Sequence, residues 1–216
     1  MRDALIVWGG WSGHEPEQGA GIVREMLEDA GFNVFVENTT EAFADPAIRE
    51  LHLIVPIITM SKIEKEELDN LVAAVRGGVG IGGYHGGMCD AFREAVEYQF
   101  MCGGQWVAHP GNVIDYRVNI VDRDDPVTAG LDDFDYRSEQ YYMHVDPSNR
   151  VLATTTFNGA HAPWIDGVVM PVVWKRKHGA GRVFYSSLGH VSAEFKVPQM
   201  RTIVQRGLMW AAREAA

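Results

Sequence analysis

Cysteine is scarce in this chain: Cys89 and Cys102 are the only two, and neither belongs to a CxxC or a repeated metal-binding spacing. That excludes a disulfide framework and the usual thiolate zinc motifs. Positive charge is also short. With 19 Lys and Arg against 29 Asp and Glu, the formal net charge of -10 argues against a nucleic-acid backbone or an anionic membrane surface as partner. No apolar run approaches the roughly 20 residues of a bilayer span, and Met1-Arg2-Asp3 leads straight into Ala4-Leu5-Ile6-Val7-Trp8 without a signal-type h-region or cleavage site. The expected setting is reducing and cytoplasmic, and the expected partner is a small neutral ligand.

Apolar residues make up 46% of the chain and charged residues 22%, a balance that suits a packed core and excludes disorder or a fibrous repeat. A length of 216 residues lies within the range of one α/β unit, so residues 1–216 are expected to form a single domain. In the first half, short apolar runs alternate with amphipathic segments, the pattern of βαβ units and a parallel sheet. Residues 4–8, 32–36, 53–57 and 79–83 read as strands, and Pro56 predicts that regular pairing stops near the third. A helix is expected from about Gln18, with Ile22, Val23, Met26, Leu27 and Ala30 at helical spacing and Gly31 as its C-cap. Ser61 and Glu64 read as the capping box of a second helix that carries Leu68, Leu71, Val72 and Val75 on one face. A third helix is expected over residues 89–98. Residues 113–121, 150–156, 169–175 and 182–187 then read as strands that complete the sheet in antiparallel fashion. Pro198 opens a closing helix with Ile203, Val204, Leu208, Met209 and Ala212 as its buried stripe.

Gly83-Tyr84-His85-Gly86-Gly87 has the G-x-[nucleophile]-x-G spacing of a strand-to-helix elbow, in which small residues permit a sharp turn that lifts the central side chain above the sheet. Here that side chain is an imidazole. Turn amides and the following helix start are placed to bind a polarised oxygen beside it. The competing reading is a histidine simply packed in a tight turn.

Further segments follow in order: Gly103-Gly104-Gln105-Trp106 with His109-Pro110, Asp125-Pro126-Val127-Thr128-Ala129-Gly130-Leu131, and Glu139-Gln140-Tyr141-Tyr142. After them come Pro171-Val172-Val173-Trp174, Gly179-Ala180-Gly181-Arg182-Val183-Phe184-Tyr185 with Leu188-Gly189-His190, and Gly207-Leu208-Met209-Trp210-Ala211-Ala212. As an ordered set covering nearly the whole chain, they resemble the ThuA-like (trehalose utilisation) family. The resemblance implies a flavodoxin-like three-layer α/β sandwich with a mostly parallel sheet, related to class I glutamine amidotransferases. In those enzymes the elbow residue is a cysteine working with a distal histidine and glutamate. His85 stands in the cysteine's place, and Cys89, four residues later, reads as a small core residue. Imidazole does not replace thiolate in forming a glutamyl thioester, so no glutaminase activity is expected.

In such a fold, ligands bind at the carboxyl ends of the strands. His85 and His190 are therefore the expected proton-transfer residues, with Glu139 orienting one of them. Gly10, Trp11, His14, Tyr84, Gly86, His109 and Tyr141 are the expected substrate-binding residues: the glycines bring amides close, and the rings and imidazoles hold a hydroxylated ligand. For each loop residue the alternative is an exposed loop or capping position. Trp106 and Trp164 can also offer sugar-stacking faces, Trp174 and Trp210 read as core, and His52, His161 and His178 read as ordinary surface residues. No H-x-H or HExxH doublet fixes two metal ligands on one element, so no cofactor is assigned, although the imidazoles and carboxylate suffice for a divalent ion such as zinc. The resemblance implies an enzyme of disaccharide or keto-sugar catabolism with a carbohydrate as partner. A non-catalytic sugar-binding module and a metal-dependent hydrolase stay open beside it, as does assembly into a homo-oligomer.

Overall fold

The computed structural model describes residues 2–214. Its strands are β1 (Arg2–Gly10), β2 (Phe32–Glu37), β3 (Leu53–Thr59), β4 (Gly80–Tyr84), β5 (Gly104–Ala108), β6 (Val113–Ile120), β7 (Phe134–Glu139), β8 (Tyr142–Val145), β9 (Arg150–Thr156), β10 (Val169–His178) and β11 (Gly181–Ser186). Its α-helices are α1 (Pro16–Asp29), α2 (Lys65–Arg76), α3 (His85–Cys89), α4 (Val96–Cys102) and α5 (Pro198–Ala211).

Nine strands form one sheet in the order β2-β1-β3-β4-β11-β10-β9-β6-β7, and β5 and β8 pair separately. The block from β2 to β11 is parallel and the remainder is antiparallel. This is the expected mixed α/β sheet, parallel in its first five strands and covered by helices on both faces. Alternation within each strand splits the core between its two faces. Ala4 and Ile6 of β1 and Leu53, Val55 and Ile57 of β3 pack with Val23, Met26 and Leu27 of α1 and Ile203, Val204 and Leu208 of α5. Leu5, Val7, Ile54 and Ile58 face the other way, against Leu71 and Val75 of α2, Met88 of α3 and Met101 of α4.

Three sequence expectations shift. Pro56 does not end its strand: β3 pairs with β1 as far as Gly10 and Thr59, and only the ladder to β4 stops, after Ile54. The capping box lies one turn later than Ser61 and Glu64, since Glu67 Oε2 accepts the Glu64 backbone N–H at 2.9 Å. Residues 89–98 are not one helix. The helix starts at His85 itself and is interrupted after Cys89 by Phe92 in the left-handed region (φ 47°), with Asp90 and Arg93 paired across the break.

The far end of the sheet curls. Counting from β4 through β11, β10, β9 and β6 to β7, five steps at about 4.8 Å each would put β7 about 24 Å away in a flat sheet. Yet β6 pairs with β9 only through Asn119 and Ile120, while Val113 to Val118 pair with β7. The β6–β7 hairpin therefore peels off the sheet and returns over the carboxyl ends of the parallel strands.

Candidate functional site

His85 opens α3 with φ 49°, a left-handed conformation that costs a non-glycine residue about 1 to 3 kcal/mol. The elbow expected from the spacing is thus present. Tyr185 Oη–H donates to the His85 carbonyl at 3.0 Å and holds the strained peptide. Gly86 is needed next to it because a Cβ there would lie 2.6 Å from His14 Cε1. At the end of β1, Gly10 (φ 76°) passes so close to β3 that a Cβ would sit 1.9 Å from the Thr59 carbonyl oxygen. Trp11 N–H then donates to that oxygen at 3.1 Å, and the turn Ser12–His14 is fixed above the sheet edge.

Four imidazoles surround one carboxylate. From Glu139 Oε2, His85 Nε2 lies at 3.1 Å, His190 Nδ1 at 3.3 Å and His14 Nε2 at 3.9 Å, and His109 Nε2 lies 3.7 Å from Oε1. Each comes from a different place: the β1 loop, the elbow, the segment after β5, and the loop after β11. Glu139 is the last residue of β7, brought over by the curled hairpin. Tyr141 stacks on His85 with centroids 4.1 Å apart, and the His14 ring meets those of His85 and His190 edge-on at 4.7 and 5.1 Å. Beneath them, His85 Nδ1 is 2.8 Å from the Ser187 carbonyl oxygen and His14 Nδ1 is 2.8 Å from Thr59 Oγ1.

Burial, followed by the His85 and His190 imidazoles, pushes His14 down to about 3, so it is neutral near pH 7. For Glu139, burial acts upward, but the His190 and His85 contacts outweigh it and hold the carboxyl well below the usual range. His190 is pushed down by burial and, more strongly, up by Glu139, with a net rise. The result is a buried carboxylate enclosed by imidazoles.

His14, His85, His109, Glu139, His190 and Tyr141, dispersed through the sequence, therefore converge. Trp11 packs edge-on against His14 with a centroid separation of 4.7 Å and keeps its outer face exposed. Tyr84 departs from expectation: it is buried in the core against Phe195, on the side of the sheet that holds α1, and does not face the cluster. Period-2 alternation explains this, since its neighbour His85 takes the other side. Trp106 tilts against His109, while Trp164 is 83% exposed on a separate turn. His178 is buried and accepts a hydrogen bond from Arg76 Nε at 3.1 Å, contrary to its expected surface position. Cys89 is fully buried, as expected of a core residue, and burial pushes its thiol up.

Some supporting groups carried no sequence signal. Glu194 accepts from the His190 backbone N–H at 3.0 Å, from Ser138 Oγ–H at 3.1 Å and from the Tyr136 hydroxyl, and Glu15 Oε2 accepts from Ser192 Oγ–H at 2.6 Å. These carboxylates anchor the loop that presents His190. A surface hollow of about 470 Å³ lined by Leu5, Phe35, Ile48 and Leu51 involves none of the cluster residues. A narrower one, lined by Pro110, Gln140, Phe157 and His161, adjoins Glu139 and His109 in the chain.

A family model described as ThuA, trehalose utilisation, matches residues 3–211. Among solved structures, the chain is similar to a ThuA-like protein from Parabacteroides merdae at 19% identity, covering 100% of this chain and 92% of that one with a TM-score of 0.78. A cytoplasmic protein from Salmonella typhimurium aligns at 12% identity over 99% of this chain and 100% of its own, with a TM-score of 0.63. A β-galactosidase from Bacillus circulans sp. alkalophilus aligns at 12% identity and a TM-score of 0.57 over 97% of this chain but only 30% of that enzyme. No curated protein matches the chain.

Proposed function

We propose that this chain, which belongs to the ThuA trehalose-utilisation family, is an enzyme of disaccharide or keto-sugar catabolism whose reacting centre is the imidazole cluster around Glu139. The observation that carries this reading is the convergence of four imidazoles, each within 3.9 Å of a single carboxylate, at the carboxyl edge of the parallel strands. Titratable groups clustered in a buried site at this edge are a pattern that functional sites share.

The chemistry is acid–base work at a sugar carbon: hydrolysis, isomerisation or elimination. His85, His190 and Glu139 form the buried part, in which the carboxylate orients the imidazoles in contact with it. His85, 1% exposed, is the floor of the site, and His109, whose side chain is 29% exposed, is the most open imidazole and exchanges the proton. Trp11 offers an aromatic face to the ring of the sugar.

The test is a screen of trehalose, other disaccharides and their 3-keto derivatives, with product analysis. Turnover of at least one compound is expected. Saturable sugar binding without turnover would make the chain a non-catalytic sugar module, and neither binding nor turnover would end the carbohydrate reading. Glutamine serves as the negative control. No ammonia is expected from it, because the elbow bears His85 and the Cys89 thiol is sealed in the core. Glutamine hydrolysis abolished by Cys89→Ala would show that the thiol is the nucleophile after all.

A further inference from the structure

Hydrogen-bond accounting at the cluster leaves a discrepancy. The Ser187 carbonyl oxygen can only accept, so His85 Nδ1, 2.8 Å away, carries the hydrogen of that contact. In the neutral ring, Nε2 is then a lone pair, and it faces the Glu139 carboxylate oxygen at 3.1 Å, which is also an acceptor. A positive centre, either a proton on Nε2 or a metal ion, belongs between them. His190 Nδ1 is buried without an aligned hydrogen-bond partner, although the same carboxylate oxygen is 3.3 Å away.

We propose that His14 Nε2, His85 Nε2, His190 Nδ1 and Glu139 Oε2 form the binding site of one divalent transition-metal ion of the zinc class. Two geometric observations converge on it. The ligand atoms of these four residues all lie within 4.8 Å of one another. The separations from Glu139 Oε2, at 3.1, 3.3 and 3.9 Å, bracket the edge of about 3.3 Å that a tetrahedron with metal–ligand distances of about 2.0–2.1 Å requires. The widest pair, up to 4.8 Å apart, would have to close toward that edge for all four groups to bind one ion.

The outer contacts have the form that metal-binding histidines show. Such an imidazole donates its other ring N–H to a carbonyl, carboxylate or hydroxyl, which fixes its tautomer and aim. His85 Nδ1 does so to the Ser187 carbonyl, and His14 Nδ1 is placed to do so to Thr59 Oγ1, each at 2.8 Å. The left-handed His85 backbone and the bare Cα of Gly86 also gain a purpose, because together they let the His14 and His85 rings approach. Three imidazoles and a carboxylate are a borderline donor set that suits zinc and its neighbours better than magnesium or calcium.

The ion site stands on ligand geometry, whereas its part in turnover rests on the sugar-enzyme reading above. There it would act as a Lewis acid on a sugar carbonyl or hydroxyl oxygen by gaining a fifth ligand, leaving His109 outside the ligand set to handle the proton.

The experiment uses the full chain, freed of metal by dialysis against a chelator, titrated with Zn²⁺ by calorimetry and with Co²⁺ by visible absorption. Expected are one ion per chain, the intense d–d bands of four- or five-coordinate Co²⁺, and a rise in Tm on adding Zn²⁺. Glu139→Gln, which keeps the side chain's size, and His14→Ala should each weaken affinity by at least about tenfold, while His144→Ala, exposed on β8, should not change it. Two independent variants and their metal-free melting curves separate loss of a ligand from loss of fold. Absence of saturable binding at one ion per chain, or affinity unchanged in both Glu139→Gln and His14→Ala, overturns the site. Full turnover by the chelated protein would overturn the ion's part in catalysis while leaving the sugar reading intact. Stoichiometric ion binding with no sugar turned over would leave the ion site standing and remove the sugar-enzyme reading.

Discussion

His85→Asn is expected to lower turnover by about 10²–10⁴-fold, the range for losing a group that supports acid–base chemistry, while the protein remains folded. Asparagine suits this test because it tolerates the left-handed backbone that the elbow imposes at φ 49°. His85→Ala should lose as much activity and also about 1–3 kcal/mol of stability, since the buried Ser187 carbonyl loses its partner and Tyr141 its stacking ring. Comparing the two variants separates chemistry from folding. His144→Ala is the proper control: its side chain is exposed, so both turnover and stability should stay within about 0.5 kcal/mol of wild type. His178 would be a poor control, being buried and hydrogen-bonded to Arg76. Turnover and thermal midpoint, measured on all three variants, decide the matter. If His85→Asn turns over sugar at the wild-type rate, or if the lost activity of His85→Ala only tracks its unfolded fraction, His85 is a structural turn residue.

Strands β1 to β4 and helix α1 were legible because their signals are local: apolar runs of strand length, a helical stripe, and a glycine after it. The elbow was legible for the same reason, as five consecutive residues carry it. Strand β7 was not read, although Phe134, Tyr136 and Ser138 alternate inward against exposed Asp135 and Arg137. Its alternation is carried by charged, aromatic and hydroxyl residues and not by an apolar run, so Glu139 reads as a loop residue. Its position depends on the thin two-residue ladder between β6 and β9, a tertiary feature with no local signature. Likewise, nothing in the spacing of His14, His85, Glu139 and His190 shows that they share one focus. That they meet follows from placing ligand-binding loops at the carboxyl ends of the strands, which puts all of them at one sheet edge, while sheet order sets the actual contacts. Tyr84 shows the opposite failure. Adjacency to the elbow suggested the site, and strand alternation turned it into the core.

The Asp125-to-Leu131 segment, a family marker in the sequence, is a structural anchor, and Asp125→Ala is expected to destabilise the fold by about 3–5 kcal/mol without touching the cluster. Asp125 is almost fully buried and pairs with Lys175 of β10, itself buried, whose ammonium lies 4.3 Å from the centre of the Trp210 ring. Its Oδ1 also accepts the Val127 N–H at 3.0 Å, and its Oδ2 lies 3.4 Å from Arg150 Nη2. Removing the carboxylate leaves a buried ammonium with only an aromatic face for company, which is costly because the charge keeps its desolvation and loses its partner. Lys175→Met should cost less, since Asp125 retains Arg150 and the Val127 amide, and the methionine fills the same space. The double variant should then be no less stable than Asp125→Ala alone, giving a coupling of about 0.5–3 kcal/mol between the two sites. Urea unfolding reads this directly, as a shift in midpoint at unchanged slope. Strict additivity, or an Asp125→Ala loss below about 0.5 kcal/mol, would mean that the pair is no more than a surface contact. Turnover per folded molecule should stay at the wild-type level in all three variants, because Asp125 and Lys175 contact none of the residues around Glu139.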